Sequence, residues 1–357
     1  MPHTFMPPAQ TFPADHFLNR ELSLLAFNRR VLAQAADERV PLLERMRFLC
    51  ILSSNLDEFF EIRVASLRAQ INLGARADAD GLPPKEVLRR VMDEAHQLIA
   101  KQYALLNDVI LPALSHEGIV FIRRRLWTEA QQAWIQRFFR TEVMPLLTPI
   151  GLDPAHPFPR VLNKSLNFAV ELQGTDAFGR NSGTAIVQAP RALPRVIRLP
   201  KELSGVDHGY VFLSSILHQF VGELFAGMEV LGCYQFRVTR NSDLFVDDEE
   251  VKNLRITLQG ELPQRHFGDA VRLEVADNCS EAMATFLLQQ FGLESGDLYR
   301  VPGIVNLVRL MSVPDEVDRP DLKYPPFQPG LPKSLGKRAD IFDSIARQDI
   351  LLHHPYQ

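Results

Sequence analysis

The stretch RFLCILSSNLDEFFEIRVASLRAQI (residues 47–71) determines how the first part of this chain folds. It contains neither glycine nor proline, and its apolar residues repeat at the spacing of one helix face. These apolar residues are Leu49, Leu52, Leu56, Phe59 and Ile62. Three small polar residues, Ser53, Ser54 and Asn55, interrupt the apolar face in its middle. Serine and asparagine compete with the helical backbone for hydrogen bonds, so they favour helix ends over helix interiors.

Two explanations of this polar interruption are open. In the first, the helix breaks and Ser54 caps a second helix, with Asp57 three residues later as in a capping box. In the second, Asn55 presents its amide at a binding site, because an amide both donates and accepts hydrogen bonds and can bind a base or ribose edge. The preference of serine for helix N-caps favours the break when spacing alone is considered.

The composition is that of an ordinary soluble chain, and its 357 residues suffice for two or three domains. The net charge of −4 indicates no basic surface for nucleic acid or membranes. No apolar run reaches the roughly 18 residues of a membrane span, and the N-terminus has no signal-peptide pattern. Three widely spaced cysteines, Cys50, Cys233 and Cys279, predict buried free thiols in a reducing compartment. We therefore expect a cytoplasmic protein without a transmembrane segment or a nucleic-acid partner.

The order of the sequence patterns predicts a multidomain α and α+β fold. Residues 1–15 contain several prolines without periodicity and are predicted to be a disordered lead-in. Residues 16–117 contain three long amphipathic segments joined by short loops, which is typical of an antiparallel helical bundle. Residues 118–339 mix strands and helices without βαβ regularity, as in an α+β domain. Residues 340–357 begin another element inside an apolar and aromatic run, so we expect the polypeptide to continue after it.

The individual elements are also predicted from periodicity and from glycine and proline positions. Helices are expected at 19–36, 42–73, 85–109, 128–144, 214–225, 248–258 and 280–291. Strands are expected at 166–172, 184–189, 195–199, 210–213, 229–240 and 270–276. Thr128 and Gln131 predict a capping box, and Pro112 and Gly118 are expected to end the third helix. Residues 148–165 carry four prolines and are predicted to be a loop with a restricted backbone.

Compact sequence motifs for catalysis are absent. The chain has no G-x-x-x-x-G-K-S/T, H-E-x-x-H, C-x-x-C or G-x-S-x-G pattern. Asp153 and His156 share one loop and suit metal binding or proton transfer, although such pairs more often form the turn's own hydrogen bonds. The neighbours His353 and His354 point to opposite sides of an extended chain, so one metal ion does not suit both. The basic run 123–125 suits a phosphate, but a solvated surface explains it more simply.

Six segments occur in one order along the chain and together resemble a known family. They are ELSLLAFNRRVL (21–32), RFLCILSSNLDEFFEIRVA (47–65), GLDPAHPFPRVLNKSLNFAV (151–170), FRVTRNSDLFVDDEE (236–250), DLKYPPFQP (321–329) and DILLHHPY (349–356). The set resembles the long-form polyphosphate kinase family, whose members transfer the terminal phosphate of ATP to inorganic polyphosphate. The resemblance extends over nearly the whole chain.

This resemblance implies an architecture and one site residue. The family has a helical N-terminal domain, an α+β head domain associated with dimerisation, and two catalytic domains related to the phospholipase D fold. It implies that Asn55, in SSNLDEFF, contacts the nucleotide, and that residues 340–357 begin the first catalytic domain. The family's phosphate-accepting histidine lies in an H-x-K motif beside magnesium-binding arginines. No histidine of this chain has lysine two positions later, so we expect no catalytic residue and no metal ligand here.

Two hypotheses about function follow from the sequence. In the first, the chain is the N-terminal and head portion of a polyphosphate kinase, inactive alone. The full-length enzyme would use ATP or ADP, polyphosphate, Mg²⁺ and a phosphohistidine, and would dimerise through the head domain. In the second, it is a stand-alone, non-catalytic binding or dimerisation protein built from the same two domains. An H-x-K motif after Gln357 in the reading frame supports the first hypothesis, and a stop codon supports the second.

Overall fold

Helices form the first part of the chain, as the sequence predicts. The computed structural model describes residues 12–153, 155–175, 183–189, 191–242, 268–332, 335 and 340–356. Its first helices are α1 (Arg20–Ala36), α2 (Leu42–Glu58), α3 (Ala65–Asn72), α4 (Pro84–Leu105) and α5 (Leu111–His116). π-helical turns at Phe59–Val64 and Leu106–Ile110 join α2 to α3 and α4 to α5. Helix α1 packs against α2 and α4, so the predicted bundle is present.

Two details of the helical prediction are wrong, and the first is the helix break. Helix α2 runs through Ser53, Ser54 and Asn55 without interruption, so Ser54 caps no helix. Ser53 is buried, and its hydroxyl accepts a 2.8 Å hydrogen bond from Gln102 Nε2 of α4. Ser54 is exposed to water. Because neighbouring groups or solvent satisfy these side chains, they do not have to compete with the helical backbone.

The second error concerns Pro112, which does not end the helix. The chain stays helical to His116, after which Gly118 adopts a left-handed φ of 76°. Pro112 lies in the first turn after the π-helical segment Leu106–Ile110. The altered hydrogen-bond pattern of that segment removes the need for an N–H at this position, as at the start of any helix.

Two mixed β-sheets form the second part of the described chain. The strands are β1 (Ile119–Phe121), β2 (Pro149–Gly151), β3 (Asn167–Gly174), β4 (Thr184–Gln188), β5 (Val196–Arg198), β6 (His208–Phe212), β7 (Met228–Arg240), β8 (Ala270–Ala276) and β9 (Leu298–Val301). The smaller sheet has the order β1–β6–β5, and the larger has the order β2–β4–β3–β7–β8–β9. Neighbouring strands are antiparallel except for the parallel pairs β1–β6 and β8–β9. Mixed pairing of this kind is the α+β arrangement that the sequence predicts.

Short helices connect and cover these strands. They are α6 (Glu129–Phe138), α7 (Lys201–Ser204), α8 (Leu213–Phe220), α9 (Glu281–Phe291), α10 (Ser312–Glu316) and α11 (Ile341–Arg347). The predicted capping box at the start of α6 is confirmed, because Thr128 and Gln131 exchange backbone-to-side-chain hydrogen bonds of 3.0 and 3.2 Å. All six predicted strands are present, whereas β1, β2 and β9 have three or four residues each and were missed. The predicted helix 248–258 lies outside the described residues.

The helical bundle and the sheets share one apolar core. Its buried members include Leu52 and Phe60 from the helices and Val170 and Tyr299 from the larger sheet. A second buried cluster lies between the larger sheet and α9. Shared burial on this scale stabilises the packing of the bundle on the sheets, since the hydrophobic effect grows with the apolar area removed from water. The helices up to His116 and the strands from Ile119 onward therefore pack together.

The ends of the described chain add little to this core. Residues 1–11 of the predicted lead-in lie outside the described residues, and Ala14–His16 form one turn of 3-10 helix. At the other end, α11 exposes Ile341, Phe342 and Ile345. Within the described ranges, we find no helix with both the length and the apolar character needed to cross a bilayer.

Candidate nucleotide-contacting residue and domain junction

Asn55 lies on α2, half-buried against α1. Its Nδ2 donates a 3.0 Å hydrogen bond to Oδ1 of Asn28, which is itself buried. Asn28 Nδ2 in turn donates a 3.1 Å bond to the carbonyl of Leu24, one turn earlier in α1. This chain of amides fixes the orientation of Asn55. No described residue donates to Asn55 Oδ1, so this oxygen is available as an acceptor for the N–H or O–H of a ligand.

Asp57, two residues after Asn55, belongs to a buried cluster of four charged side chains. Arg237 Nη1 donates a 2.9 Å hydrogen bond to Asp57 Oδ2, and Arg272 Nη2 donates to Asp57 Oδ1. Both arginines also form ion pairs with Glu274. Thr239 Oγ1 accepts a further bond of 3.1 Å from Arg272 Nε. The cluster therefore binds α2 of the helical bundle to the adjacent strands β7 and β8.

The electrostatics of this cluster favour the charged forms. Burial by itself disfavours ionisation of Asp57, but the charges and hydrogen bonds of Arg237 and Arg272 outweigh it and lower the pKa of this carboxyl. Burial likewise opposes the charge of Arg237, and Asp57 and Glu274 together raise its pKa. Arg272 also lies over the ring of Phe60, with its guanidinium carbon 4.4 Å from the ring centroid. The four ions thus stabilise one another inside an apolar region.

Glu61, one turn further along, forms a second polar contact between the helical bundle and the residues that precede β3. Its Oε1 accepts a 2.5 Å bond from Asn163 Nδ2, and its Oε2 accepts a 2.8 Å bond from Lys164 Nζ. Asn163 Oδ1 accepts the backbone N–H of Arg240 at 3.0 Å. Three of the family-like segments therefore meet at this junction, namely 47–65, 151–170 and the start of 236–250.

Sequence reasoning missed Asp57 and Glu61 as junction residues and assigned Asp57 to a helix cap instead. Their partners are 102 to 215 positions away in sequence, so no local spacing reveals them. One signal was available. Both carboxylates lie on the apolar face of a helix, where an unpaired charge is costly and a partner has to be present.

The weaker candidates from the sequence have structural roles on the surface. His156 Nδ1 lies 3.2 Å from Asp153 Oδ2, and the backbone N–H of Ala155 donates to Asp153 Oδ1 at 2.9 Å, so the pair forms the turn's own bonds. Arg124, from the basic run, contacts His218 Nδ1 at 2.7 Å. In the parts of the chain that the structure describes, no three His, Cys, Asp or Glu side chains gather as a metal site requires.

The predicted free thiols are confirmed. Cys50, Cys233 and Cys279 are all buried and form no disulfide. Burial raises the pKa of Cys50 and Cys233 to about 12 and that of Cys279 to about 11. The thiol of Cys50 donates to the carbonyl of Leu307, 3.2 Å away. These cysteines are packing residues, because only the thiolate is reactive.

Comparison with known proteins defines the class of this helical-plus-α+β arrangement. The model described as "Polyphosphate kinase N-terminal domain" matches residues 17–122, and the model described as "Polyphosphate kinase middle domain" matches residues 130–313. The two parts of the chain thus match, in order, the N-terminal and middle domains of one family. The chain belongs to the polyphosphate kinase family.

Individual relatives agree with this assignment. The polyphosphate kinases of Neisseria gonorrhoeae and Burkholderia multivorans are 62% and 57% identical to the chain, over 96% and 95% of its length. The structure titled "Crystal Structure of Polyphosphate Kinase from Porphyromonas Gingivalis" has a TM-score of 0.76 and 27% identity, covering 97% of this chain. The chain spans 50% of each of these two relatives and 48% of the solved chain, or about half.

Proposed function

We propose that this chain is the N-terminal and head portion of an enzyme that reversibly transfers the terminal phosphate of ATP to inorganic polyphosphate. The observation that carries the proposal is the match of both parts, in order, to the two domains of one kinase family. The relatives named polyphosphate kinase extend to about twice this length. No comparison supports the alternative of a stand-alone, non-catalytic protein.

We assign the phosphohistidine and the Mg²⁺ ligands to the half of the enzyme outside this chain. No histidine here has lysine two positions later, as the family's H-x-K motif requires. The two buried carboxylates that follow Asn55 in the sequence, Asp57 and Glu61, do not fit a magnesium site. Both oxygens of Asp57 bind arginines, and both oxygens of Glu61 bind Asn163 and Lys164. Phosphoryl transfer needs positioned cations and a nucleophile around the γ-phosphate, whereas the arginines beside Asp57 are already paired with Asp57 and Glu274.

Within the full-length enzyme, we propose that Asn55 contacts the nucleoside part of ATP or ADP. The support is geometric: the Asn28 contact fixes the amide and leaves its oxygen available to a ligand. One such hydrogen bond contributes about 1 kcal/mol, too little to hold a nucleotide without other contacts. We also propose, from the family resemblance, a cytoplasmic enzyme that dimerises through residues 118–339.

Transfer of labelled phosphate from ATP tests the proposed activity directly. The full-length enzyme is expected to label itself and to elongate polyphosphate in the presence of Mg²⁺, whereas the 357-residue chain does neither. Robust self-labelling of the 357-residue chain would contradict the assignment of the nucleophile to the other half. Absence of phosphate transfer by the full-length enzyme would contradict the proposed function itself. Light scattering of the 357-residue chain measures whether it forms a dimer without the other half of the enzyme.

A further inference from the structure

A cleft in the head domain contains positive charges without a matching negative charge. It lies between the residues that precede β3, the strand β5, the start of α8 and the segment that follows β9, and it is open on one side. Its polar lining consists of Lys164, Arg195, Ser214, Gln235, Asn306 and Arg309. The remaining lining is mostly aliphatic and aromatic, and such low-polarity walls strengthen any electrostatic interaction inside.

Arg195 is the least compensated cation of the cleft. Its Nη1 is buried and has no hydrogen-bond partner, and its Nη2 reaches only the carbonyl of Ala189 at 3.4 Å. Burial, together with the positive charges of Arg309 and Arg191, lowers the pKa of Arg195 to about 10. A half-buried guanidinium next to two others is unfavourable in the absence of an anion. Lys164 differs, since Glu61 already neutralises it.

Strained backbone is found at the same place. Across the described ranges, the non-glycine residues with positive φ are Lys164, at 56°, and Asn306, at 76°, and both line this cleft. Such conformations are uncommon outside glycine and occur preferentially at ligand-binding sites. Two strained residues thus line the same cleft as the uncompensated arginine.

The donors of the cleft match a phosphate oxyanion. Arginine presents a planar set of N–H donors that fits phosphate oxygens with two parallel bonds. Arg195 and Arg309 supply two such groups, and the hydroxyl of Ser214 adds a neutral donor. Gln235 is fixed in the lining of the cleft, because its Nε2 donates a 2.7 Å hydrogen bond to the carbonyl of Gly303. Neither of the two arginines forms an ion pair with a described carboxylate.

We propose that this cleft binds a phosphate group, either as free orthophosphate or as one unit of a polyphosphate chain. An oxyanion between Arg195 and Arg309 offsets the repulsion between their guanidinium groups. The phosphate site depends only on the geometry of the head domain, whereas its use for polyphosphate rests on the proposed function.

Calorimetric titration of the 357-residue chain with orthophosphate, and separately with polyphosphate, tests the site at constant ionic strength. Arg195→Gln and Arg309→Gln are each expected to weaken binding at least about tenfold, because each removes a charge-assisted hydrogen bond. Arg198→Gln is the matched control. It removes the same charge three residues further on, at the end of β5, but its side chain is exposed and lies outside the cleft, bonded to the carbonyl of Asp207. The Arg198→Gln variant is expected to bind phosphate with the same affinity as the wild type.

The two phosphate sources give separable results. If polyphosphate binds more tightly than orthophosphate at equal concentration of phosphate units, and if this binding depends on Arg195, the site belongs to the polymer. If only orthophosphate binds, the site belongs to the free ion. Equal affinities of wild type, R195Q and R309Q overturn the proposal, as does the absence of any binding. Because R309Q changes an exposed residue, it keeps the test valid if R195Q does not fold. None of these titrations needs turnover, so a failed kinase assay leaves their outcome unaffected.

Discussion

Arg237 on β7 donates a 2.9 Å hydrogen bond to Asp57 on α2, across 180 positions of the sequence. Both side chains are buried, so this contact is one of the points at which the helical bundle is bound to the larger sheet. Asp57 is also two residues from Asn55, the proposed nucleotide contact. The cluster around Asp57 therefore determines where α2, and with it the Asn55 amide, lies relative to the head domain.

Substitution of Asp57 by asparagine should destabilise the chain strongly. The change keeps the shape of the side chain but leaves two buried arginines with one carboxylate, Glu274, between them. Removal of one partner from a buried ion cluster costs about 3–5 kcal/mol. Urea unfolding at pH 7 measures this loss. The adjacent exposed residue offers a matched control, Glu58→Gln, expected within about 0.5 kcal/mol of the wild type. If the two variants are equally stable, the role assigned to Asp57 is wrong.

The same cluster predicts a pH dependence of stability. The pKa of Asp57 is lower in the folded chain than in the unfolded chain, whose value is about 4. The unfolded state therefore binds the proton more readily, so the contribution of Asp57 is complete above about pH 4 and decreases as the pH falls below that value. The difference in melting temperature between wild type and Asp57→Asn should be largest near neutral pH and shrink in acid. A difference that stays constant from pH 6 to strongly acidic solution excludes this mechanism.

Two neighbouring serines should respond to alanine in opposite directions. Ser53→Ala removes the acceptor of the 2.8 Å bond from Gln102, while Gln102 Nε2 keeps its 2.7 Å bond to the carbonyl of Leu49, so a loss of about 1 kcal/mol is expected. Ser54 is exposed in the interior of α2, where alanine is the better helix former by about 0.5 kcal/mol, so Ser54→Ala should stabilise slightly. Equilibrium unfolding of both variants measures these changes. If Ser54→Ala instead destabilises the chain, Ser54 has a capping role, contrary to the structure.

The buried cysteines predict thiol reactivity. With the pKa of Cys50 and Cys233 raised to about 12 and that of Cys279 to about 11, almost no thiolate forms at pH 8. Titration of the native chain with a thiol-specific reagent should therefore be very slow. All three thiols should react promptly in urea, where burial is lost. Rapid modification of one thiol in the native chain would show that its packing opens locally.

Local features were predictable from the sequence, and distant pairings were not. Helices such as α1 and α9 follow from apolar periodicity and from the caps Asn19 and Ser280, which lie within one turn of the groups they bind. Strands β1, β2 and β9 have three or four residues, too few for an alternating pattern to stand out. The partners of Asp57 depend on how the sheet packs on the bundle, which no local spacing encodes. Spacing alone favours a helix break at Ser54, and the family resemblance is what implies a nucleotide contact for Asn55.

Replacement of Asn55 by alanine in the full-length enzyme tests that role, which rests on the proposed function. Loss of one amide hydrogen bond, worth about 1 kcal/mol, should weaken the apparent affinity for ATP about fivefold. The apparent affinity for polyphosphate should not change, because Asn55 is proposed to contact only the nucleoside. Ser54→Ala is the control on the same helix turn. Asn28→Ala should also weaken ATP binding, though less, because it removes the contact that orients the Asn55 amide without removing the amide itself. If Asn55→Ala binds ATP as the wild type does, the nucleotide contact assigned to this residue is wrong.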